Sequence, residues 1–569
     1  MRREACFAPM KRHRQAHLRT RLATRLLPAT LLLLPLSMVY AAPDAGQLLE
    51  TVKPAATLPP KAASALPADA APLPALKPSD TPRVRVSGLR ISGAKVFADD
   101  VLLPLVRDAI GKDLGFDELQ ALAARITRYY REQGYLLARA YLPAQDLKNG
   151  QVEISVLEAR LGQRRVQNTS LLSNDQVERH LMDLTSGQAL EGRSLERTLL
   201  LLSDLPGTEV RSTLQPGASV GTTDLDIKVS PTQRVAGSVG LDNHGNRFTG
   251  EYRLSGNLAV NSPFGLGDAA SVNAVTAGHG FNYGRLSWQA PVGHDGLQLG
   301  AAGSVMRYRL GDDFANLDAH GKAETLGAYG LYPFIRSRAV NFNGQLSADS
   351  KRLDDAVDSS ATLSRKRVDV ATFGLSGDIS DAVFGGGLSQ WSASFTTGRL
   401  RLDAASLALD DAGHQTAGTY SKWSAQFSRI QRLNDGLNAY VQLSGQWANK
   451  NLDSSEKMSL GGSSGVRAYP QGEAPADDAV MLNLELRHAL TPGWQVSGFI
   501  DAAEGRLNHE PLAADTRNKR HLSGVGVGLN GTLPGGVNLQ ASLAMPTSAD
   551  ATSDTSRSLR AWVQAKKNF

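Results

Sequence analysis

Apolar and polar residues alternate with a period of two from about residue 235 to the carboxyl terminus. In one such segment Tyr252, Leu254 and Leu258 share one face, while Arg253 and Ser255 share the other. Successive side chains of a β-strand point to opposite sides, so the pattern predicts strands with one apolar and one polar face. The same alternation recurs over residues 437–447, 480–486, 494–501 and 537–545.

Connection lengths between these segments alternate as well. Short turns at residues 434–436, 491–493 and 533–536 separate long polar loops at residues 448–479, 502–518 and 546–556. Outer-membrane β-barrels have tight periplasmic turns and longer external loops. We therefore predict an antiparallel barrel over residues 233–569 whose last strand ends in the periplasm. At roughly 20 residues per strand and connection, about 16 strands are expected.

Two compact units are predicted before the barrel, at residues 83–159 and 160–232. Each has the order strand, helix, helix, strand, strand, and the unit is therefore repeated in architecture. The clearest helix covers residues 116–133, where one apolar stripe recurs at helical spacing. Its members are Leu119, Leu122, Ala123, Ile126 and Tyr130. These units are expected to be small α+β domains.

The amino-terminal region has the composition of a targeting segment followed by a tether. Residues 1–42 combine a basic stretch with an apolar run and small residues, which predicts a secretory signal peptide. Residues 53–82 are rich in proline and alanine and predict an extended linker. A possible short helix lies between them, at residues 44–52. The only cysteine, Cys6, lies in the leader, so no disulfide is expected in the exported protein.

Charge and motif content argue against several functions. The leader's eight basic residues and one acid account for more than the formal net charge of +6, so the basic balance indicates no nucleic acid partner. Residues 461–465 match the G-x-S-x-G pattern, but no strand-turn-helix elbow is predicted there. Residues 526–531 match G-x-G-x-x-G inside an alternating strand, where no helix follows. We expect no enzyme, no cofactor and no metal site.

Three groups of residues resemble a known family. Residues 214–225 resemble its closing hairpin, and residues 241–245 with 263–268 resemble its first barrel hairpin. The most specific is an inward-loop motif, Val466, Arg467, Ala468 and Tyr469, which follows Ser459-Leu460-Gly461-Gly462. On these residues the chain resembles the outer-membrane transporters of two-partner secretion. They form the haemolysin-activator (TpsB) branch of the superfamily that also contains the barrel-assembly proteins.

The resemblance implies a mainly β fold: a 16-stranded antiparallel outer-membrane β-barrel preceded by two periplasmic α+β POTRA-like domains. It also implies that the loop dips into the barrel, where Arg467 contacts the wall. Alternation over residues 494–501 turns Phe499 and Asp501 inward, so we expect Asp501 to pair with Arg467. Many relatives have glycine at the position of Ala468. By the same analogy, residues 44–52 would plug the resting pore.

The implied function is export of a large haemolysin- or adhesin-like protein across the outer membrane of a Gram-negative bacterium, without nucleotide. The expected partners are a secreted TpsA-type client, outer-membrane lipid and the barrel-assembly machinery, and we expect a monomer. The client would add a strand to a sheet edge. The candidate edge consists of Leu137, Ala138, Arg139, Ala140, Tyr141 and Leu142. The alternatives are a barrel-assembly factor and, with less support, a passive porin.

Overall fold

The computed structural model describes residues 42–52 and 83–569 of the 569-residue chain. The predicted signal peptide, apart from its last residue, and the predicted linker lie outside the described residues. Within the described residues, no helix has both the length and the apolarity needed to cross a membrane. The chain is built mostly from β-strands.

The first small domain packs one long helix on a three-stranded sheet. It follows an isolated helix, α1 (Ala45–Glu50), and contains β1 (Val84–Arg85), β2 (Gly88–Ser92), α2 (Asp99–Leu102), β3 (Asp113–Leu114), α3 (Phe116–Glu132), β4 (Arg139–Tyr141) and β5 (Gln151–Leu157). The sheet order is β2-β5-β4, with β2 parallel to β5. The predicted stripe of α3 lies buried against this sheet.

Strand β4 is shorter than the predicted segment 137–142. Ala138 N donates to Tyr135 O in a turn (3.1 Å), so Leu137 and Ala138 precede the ladder rather than join it. At the other end, Leu142 is followed by Pro143, which has no N–H to donate. Strand β4 nevertheless forms one edge of the sheet.

The second small domain repeats this architecture with the same order and relative direction of its strands. It comprises β6 (Arg160–Asn168), α4 (Asn174–His180), α5 (Gly192–Ser203), β7 (Thr208–Pro216) and β8 (Thr222–Pro231). Strand β8 lies between β6 and β7, parallel to β6 and antiparallel to β7. Leucines of α5 fill its core.

Sixteen strands then close into one antiparallel barrel, which confirms the predicted fold class. In chain order the elements are β9 (Val235–Asp242), β10 (Arg253–Asn261), β11 (Ala269–Thr276), β12 (Phe281–Val292), β13 (Leu297–Arg309), β14 (Ala319–Arg336), β15 (Val340–Val357), β16 (Thr362–Asp381), β17 (Gly387–Leu402), α6 (Ala404–Asp411), β18 (Gly418–Arg432), β19 (Leu437–Ala448), β20 (Met458–Ser459), β21 (Pro475–Ala476), β22 (Asp478–Thr491), β23 (Trp494–Arg506), β24 (Lys519–Leu533), β25 (Val537–Pro546) and β26 (Arg560–Asn568). Strands β20 and β21 form a separate hairpin.

Closure satisfies the backbone at the ends of the sheet. Strand β26 pairs with β9 over five residues, from Gln564 opposite Asp242 to Asn568 opposite Ser238. Phe569 then exchanges two backbone hydrogen bonds with Gly237 (2.8 and 2.9 Å). Because hydrocarbon offers no hydrogen-bond partners, a sheet is stable at membrane depth only as such a closed ladder.

The second small domain is fixed to the short-turn end of the barrel. Arg336, at the end of β14, donates from Nε and Nη2 to the two carboxylate oxygens of Asp204 (2.6 and 2.7 Å). Arg197 of α5 donates to the carbonyl oxygens of Pro333 and Asp295 (2.8 and 3.2 Å). Ser173 N donates to Gly265 O in a third turn (3.1 Å). The domain therefore has fixed contacts with three turns of the barrel.

We predict that Asp204→Ala loosens this domain. Only 4% of the Arg336 side chain is exposed, and removing one partner of a buried ion pair costs about 3–5 kcal/mol. Amide hydrogen exchange in α5 should accelerate, as measured by mass spectrometry on the detergent-solubilised chain.

Glu209→Ala is the matched control, because Glu209 pairs with Arg211 where both side chains are about half exposed or more. That pair is worth roughly 0–1 kcal/mol. Unchanged exchange in α5 of the Asp204→Ala protein would contradict the docking.

Candidate functional site

The long connection between β19 and β22, residues 449–477, folds back into the barrel and is called the inner loop here. Strands β20 and β21 pair at the two ends of the segment that carries the motif, and Leu460, Val466 and Tyr469 of this segment are almost completely buried. These side chains pack on lumen-facing residues of the wall, including Phe499 and Leu522. The loop is thus a packed part of the barrel interior.

Arg467 joins the inner loop to the wall through two carboxylates. Its Nε and Nη2 donate to the two oxygens of Asp501 (2.8 Å each), and its backbone N donates to Asp501 Oδ2 (3.1 Å). The third nitrogen, Nη1, donates to Glu485 Oε1 (2.6 Å). Asp501 is fully buried and Arg467 is 13% exposed. Such bidentate, charge-assisted bonds fix both distance and orientation.

The electrostatics of this contact keep the guanidinium charged. Burial alone would lower the pKa of Arg467, but Asp501 and Glu485 outweigh that penalty and raise the pKa above its usual range. The guanidinium carbon also lies 3.4 Å from the centre of the Phe499 ring, a favourable cation–π arrangement. Cation, carboxylates and ring together form a closed cluster.

Two further side chains complete the anchor. Asn483 Nδ2 donates to Asp501 Oδ1 (2.8 Å) and to Gly465 O in the loop (3.1 Å). Trp562 Nε1, from the last strand, donates to Arg467 O (2.7 Å). The loop is therefore held from strands β22, β23 and β26 at once.

Ala468 of the motif and Phe499 of the wall fill space next to lumen-facing glycines of β24. A Cβ at Gly524 would lie 2.5 Å from the Cβ of Ala468, and one at Gly526 would lie 2.3 Å from Cζ of Phe499. Ala468 is not among the residues with positive φ, so alanine is accommodated there without strain. Tyr469 donates from its hydroxyl to Ala549 O (2.7 Å).

A second anchor of the inner loop lies shortly after the motif, at Glu473. Arg520 Nη2 donates to Glu473 Oε1 (2.9 Å) in a fully buried contact. The Glu473 carboxylate also accepts bonds from the backbone and hydroxyl groups of Thr552 and Ser553 (2.6–3.1 Å). The inner loop is consequently tied to the connection before the last strand as well.

Helix α1 lies in the lumen beside the inner loop. Asp44, its N-cap, contacts Lys366 Nζ (3.1 Å) and accepts from Ser454 Oγ (2.7 Å). Ala45 N donates to Asp355 Oδ1 (2.9 Å), and Gln47 Nε2 donates to Gly472 O (2.8 Å). The segment predicted as a plug is thus inside the barrel, where it makes polar contacts and buries Leu48 and Leu49.

The candidate client edge is partly occupied. Thr127 Oγ1, on α3, accepts from Ala140 N at 2.9 Å, so this amide of the β4 edge is already hydrogen-bonded. Leu137 and Tyr141 are exposed by 39% and 42%. An incoming strand would have to replace Thr127 in order to pair with β4.

Sequence reasoning brought Arg467, Phe499 and Asp501 together but missed Glu485, Asn483, Trp562 and the Glu473–Arg520 pair. The signal for two of them was available. Asn483 and Glu485 alternate with the apolar residues of 480–486, and they lie directly opposite Asp501 and Phe499. Trp562 and Arg520 have no comparable signal, because nothing local indicates which strand closes the barrel.

Comparison with known proteins identifies the family. A family model described as "Haemolysin secretion/activation protein ShlB/FhaC/HecB" matches residues 221–531, more than half of the chain. The chain belongs to this ShlB/FhaC/HecB family. A second model, "POTRA domain, ShlB-type", matches residues 84–159, which form the first small domain.

Individual relatives agree with that membership. The heme/hemopexin transporter protein HuxB of Haemophilus influenzae (strain 86-028NP) is 29% identical over 500 residues, covering 86% of this chain and 87% of the relative. The outer membrane transporter CdiB of Escherichia coli is 25% identical over 431 residues, covering 72% and 70%. The solved structure of CdiB from Escherichia coli has a TM-score of 0.72 at 22% identity, covering 86% and 91%.

Membership in the ShlB/FhaC/HecB family settles class and location. The chain is an outer-membrane protein transporter of the two-partner secretion type, and it is not an enzyme. It resides in the outer membrane of a Gram-negative bacterium, and its POTRA domains lie in the periplasm. The turns that contact the second small domain therefore face the periplasm, and the inner loop enters the lumen from the external side.

We predict that Gly526→Val dislodges the motif. The new Cβ would lie 2.2 Å from Leu543 O and 2.3 Å from Phe499 Cζ, and overpacking of this kind costs about 1–3 kcal/mol. The temperature at which the barrel unfolds in gel-based heat-modifiability assays should fall.

Gly498→Val is the control, because a Cβ there meets no atom within 4 Å and points outward from the neighbouring strand β23. Equal unfolding temperatures for the Gly526→Val and wild-type proteins would contradict the packing described for Phe499.

Proposed function

We propose that this chain exports one large haemolysin- or adhesin-like exoprotein through its lumen as an unfolded chain, without nucleotide, and that the Arg467 anchor keeps the inner loop on the wall. The observation that carries the proposal is the buried contact of Arg467 with Asp501 and Glu485 (2.6–2.8 Å). The inner loop also contacts β15, β16 and β18, where Lys351, Lys366 and Lys422 pair with its residues Glu456 and Asp453. The path of the client would open by release of these contacts while the Arg467 anchor holds. Folding of the client outside the cell would draw the chain through.

The plug and the inner loop differ in how firmly they are held, and this difference supports separate roles. Helix α1 has only six residues and buries two large apolar side chains, Leu48 and Leu49. Its polar contacts with the wall can be replaced by water at small net cost. The inner loop instead buries an apolar cluster and fully enclosed carboxylates. We therefore expect α1 to leave the pore during transport while the loop stays.

Client capture is proposed at β4 and α3 of the first small domain. Strand β4 is a sheet edge, and an extended client can add to such an edge through backbone hydrogen bonds without demanding a sequence. Before a client binds, Ala140 N donates a hydrogen bond to Thr127 Oγ1. A client carbonyl would replace that hydroxyl, so the exchange conserves a hydrogen bond while Leu137 and Tyr141 offer apolar contact.

Insertion is proposed to use the barrel-assembly machinery, with the last strand as its signal. Strand β26 presents Ala561, Val563 and Ala565 in alternation, with Leu559 just before it and Phe569 just after it. The Phe569 ring lies against the face of β9, where a Cβ at Gly237 would be 2.6 Å from the ring. The protein is proposed to act as a monomer in outer-membrane lipid.

We predict that Arg467→Ala and Asp501→Ala each reduce export by about tenfold or more, because either change leaves a buried charge without its partner. The measurement is the amount of exoprotein in the medium when each variant is co-expressed with its client. Heat-modifiability gels establish that the barrel has inserted. Arg506→Ala, at the exposed external end of β23, is the control.

Deletion of residues 83–232 in the same assay separates the exporter from a passive porin. The exporter should lose secretion, whereas a porin would keep its ion conductance and show no client dependence. Normal export by both Arg467→Ala and Asp501→Ala would overturn the proposed role of the anchor.

A further inference from the structure

A cluster of basic side chains covers part of the outer wall near its external end. It lies on five neighbouring strands, β13 to β17, and is called the basic belt here. Its members are Arg307, Arg309, Lys322, Arg352, Arg365, Arg367, Arg399 and Arg401. Their side chains point away from the lumen, because they alternate with buried lumen-facing residues such as Tyr308, Leu353 and Leu400.

Strand register brings these residues together. Arg307 lies opposite Lys322, and Asp354 lies opposite both Lys322 and Arg365. In the next row of outward-facing residues toward the periplasm, Arg367 lies directly opposite both Arg352 and Arg401. Like charges that face each other across strands are destabilising. Three adjacent arginines in one row therefore indicate a surface suited to an anionic ligand.

Acidic side chains on the same outward face are too few to balance the belt. Glu324, Asp354 and Asp369 are the acids at outward positions within it. Asp369 is shared between Arg367 and Arg401, and Glu324 contacts Lys322. Arg309 also pairs with Asp318 in the adjoining connection, and eight basic residues against four acids still leave a local excess of positive charge.

The belt lies at the edge of the apolar band that meets lipid. On the same strands, the outward positions nearer the periplasm carry large exposed apolar side chains, Val305, Leu326, Leu346 and Phe373, and the half-buried Phe395. Lysine or arginine at the bilayer midplane costs roughly 2–4 kcal/mol, but only about 0–1 kcal/mol near the interface. The change from apolar to basic side chains therefore marks the external headgroup level.

We propose that the basic belt binds the phosphate groups of a phosphorylated glycolipid of the lipid A class in the outer leaflet. A planar guanidinium donates two parallel hydrogen bonds to a phosphate, and opposed arginines in one row can share a bisphosphorylated headgroup. The acyl chains of the same molecule would lie on the apolar band directly below. Headgroup and band together select an amphiphilic anion over a free one.

The opposite wall lacks such a cluster and supplies a control. At the external ends of β23 and β24, the outward positions hold Arg506 and Lys519, which lie opposite each other, beside Glu504 and His521. On the five strands β22 to β26, Arg506 and Lys519 are the two basic residues at outward positions near the external end, against eight on the five strands of the belt. We therefore expect the glycolipid to occupy one side of the barrel.

The test compares binding to the full-length, detergent-solubilised protein. The belt variant carries Arg352→Gln, Arg365→Gln and Arg399→Gln, and the control carries Arg506→Gln and Lys519→Gln. Native mass spectrometry with added bisphosphorylated lipid A measures the bound fraction. We expect about a tenfold weaker Kd for the belt variant, consistent with the loss of roughly one strong charge-assisted contact, and no more than about a twofold change for the control.

Two further ligands identify what is recognised. Lipid A from which the phosphates have been removed should bind no better to the wild type than bisphosphorylated lipid A binds to the belt variant. Inorganic phosphate should fail to displace the glycolipid. Equal binding by wild type and belt variant, equal loss in the control, indifference to the phosphates, or displacement by inorganic phosphate would each overturn the proposal. If heat-modifiability gels show that the triple variant does not fold, the single Arg352→Gln variant is judged by the same criteria.

Discussion

A guanidinium enclosed in the barrel must be matched there by carboxylates, and this requirement holds the inner loop in place. All three guanidinium nitrogen atoms of Arg467 donate hydrogen bonds to Asp501 or Glu485. Leaving either charge alone in that enclosed position would cost several kcal/mol. The inner loop is therefore held in one position, and that position determines the shape of the lumen.

The wall is built to receive this contact. Small residues on β24 leave room for Ala468 and Phe499, while β22 and β23 present Asn483, Glu485 and Asp501 on the same inner face. On the outside, the same strands present apolar residues to lipid. The period of two thus serves both surfaces: one side chain meets the membrane, and the next lines the export path.

Much of this architecture is readable from the sequence because the barrel obeys a local rule. Alternation located β10, β19, β22, β23 and β25 and turned Asp501 inward, and the motif around Arg467 indicated the inner loop. Other features depend on contacts between distant residues. The strand predicted at 137–142 is shorter because Tyr135 O captures Ala138 N, and the predicted loop at 502–518 begins later because β23 continues to Arg506.

The contacts of Trp562 and Arg520 were not predictable, since they require the register of the closed barrel. Outward charges on β13 to β17 also escaped the alternation analysis. Above the apolar band the alternation is reversed: basic residues face outward, while apolar residues such as Tyr308, Leu353 and Leu400 face the lumen. What local pattern cannot supply is which strands become neighbours and where each meets the membrane boundary.

The most direct measurement of the central claim is a double-mutant cycle between Arg467 and Asp501 on the free energy of unfolding in lipid. The two side chains are replaced by alanine singly and together, and denaturant unfolding is followed for all four proteins. A buried, bidentate pair predicts a coupling energy of at least about 1.5 kcal/mol. Additive effects within about 0.5 kcal/mol would show that the loop does not depend on this contact.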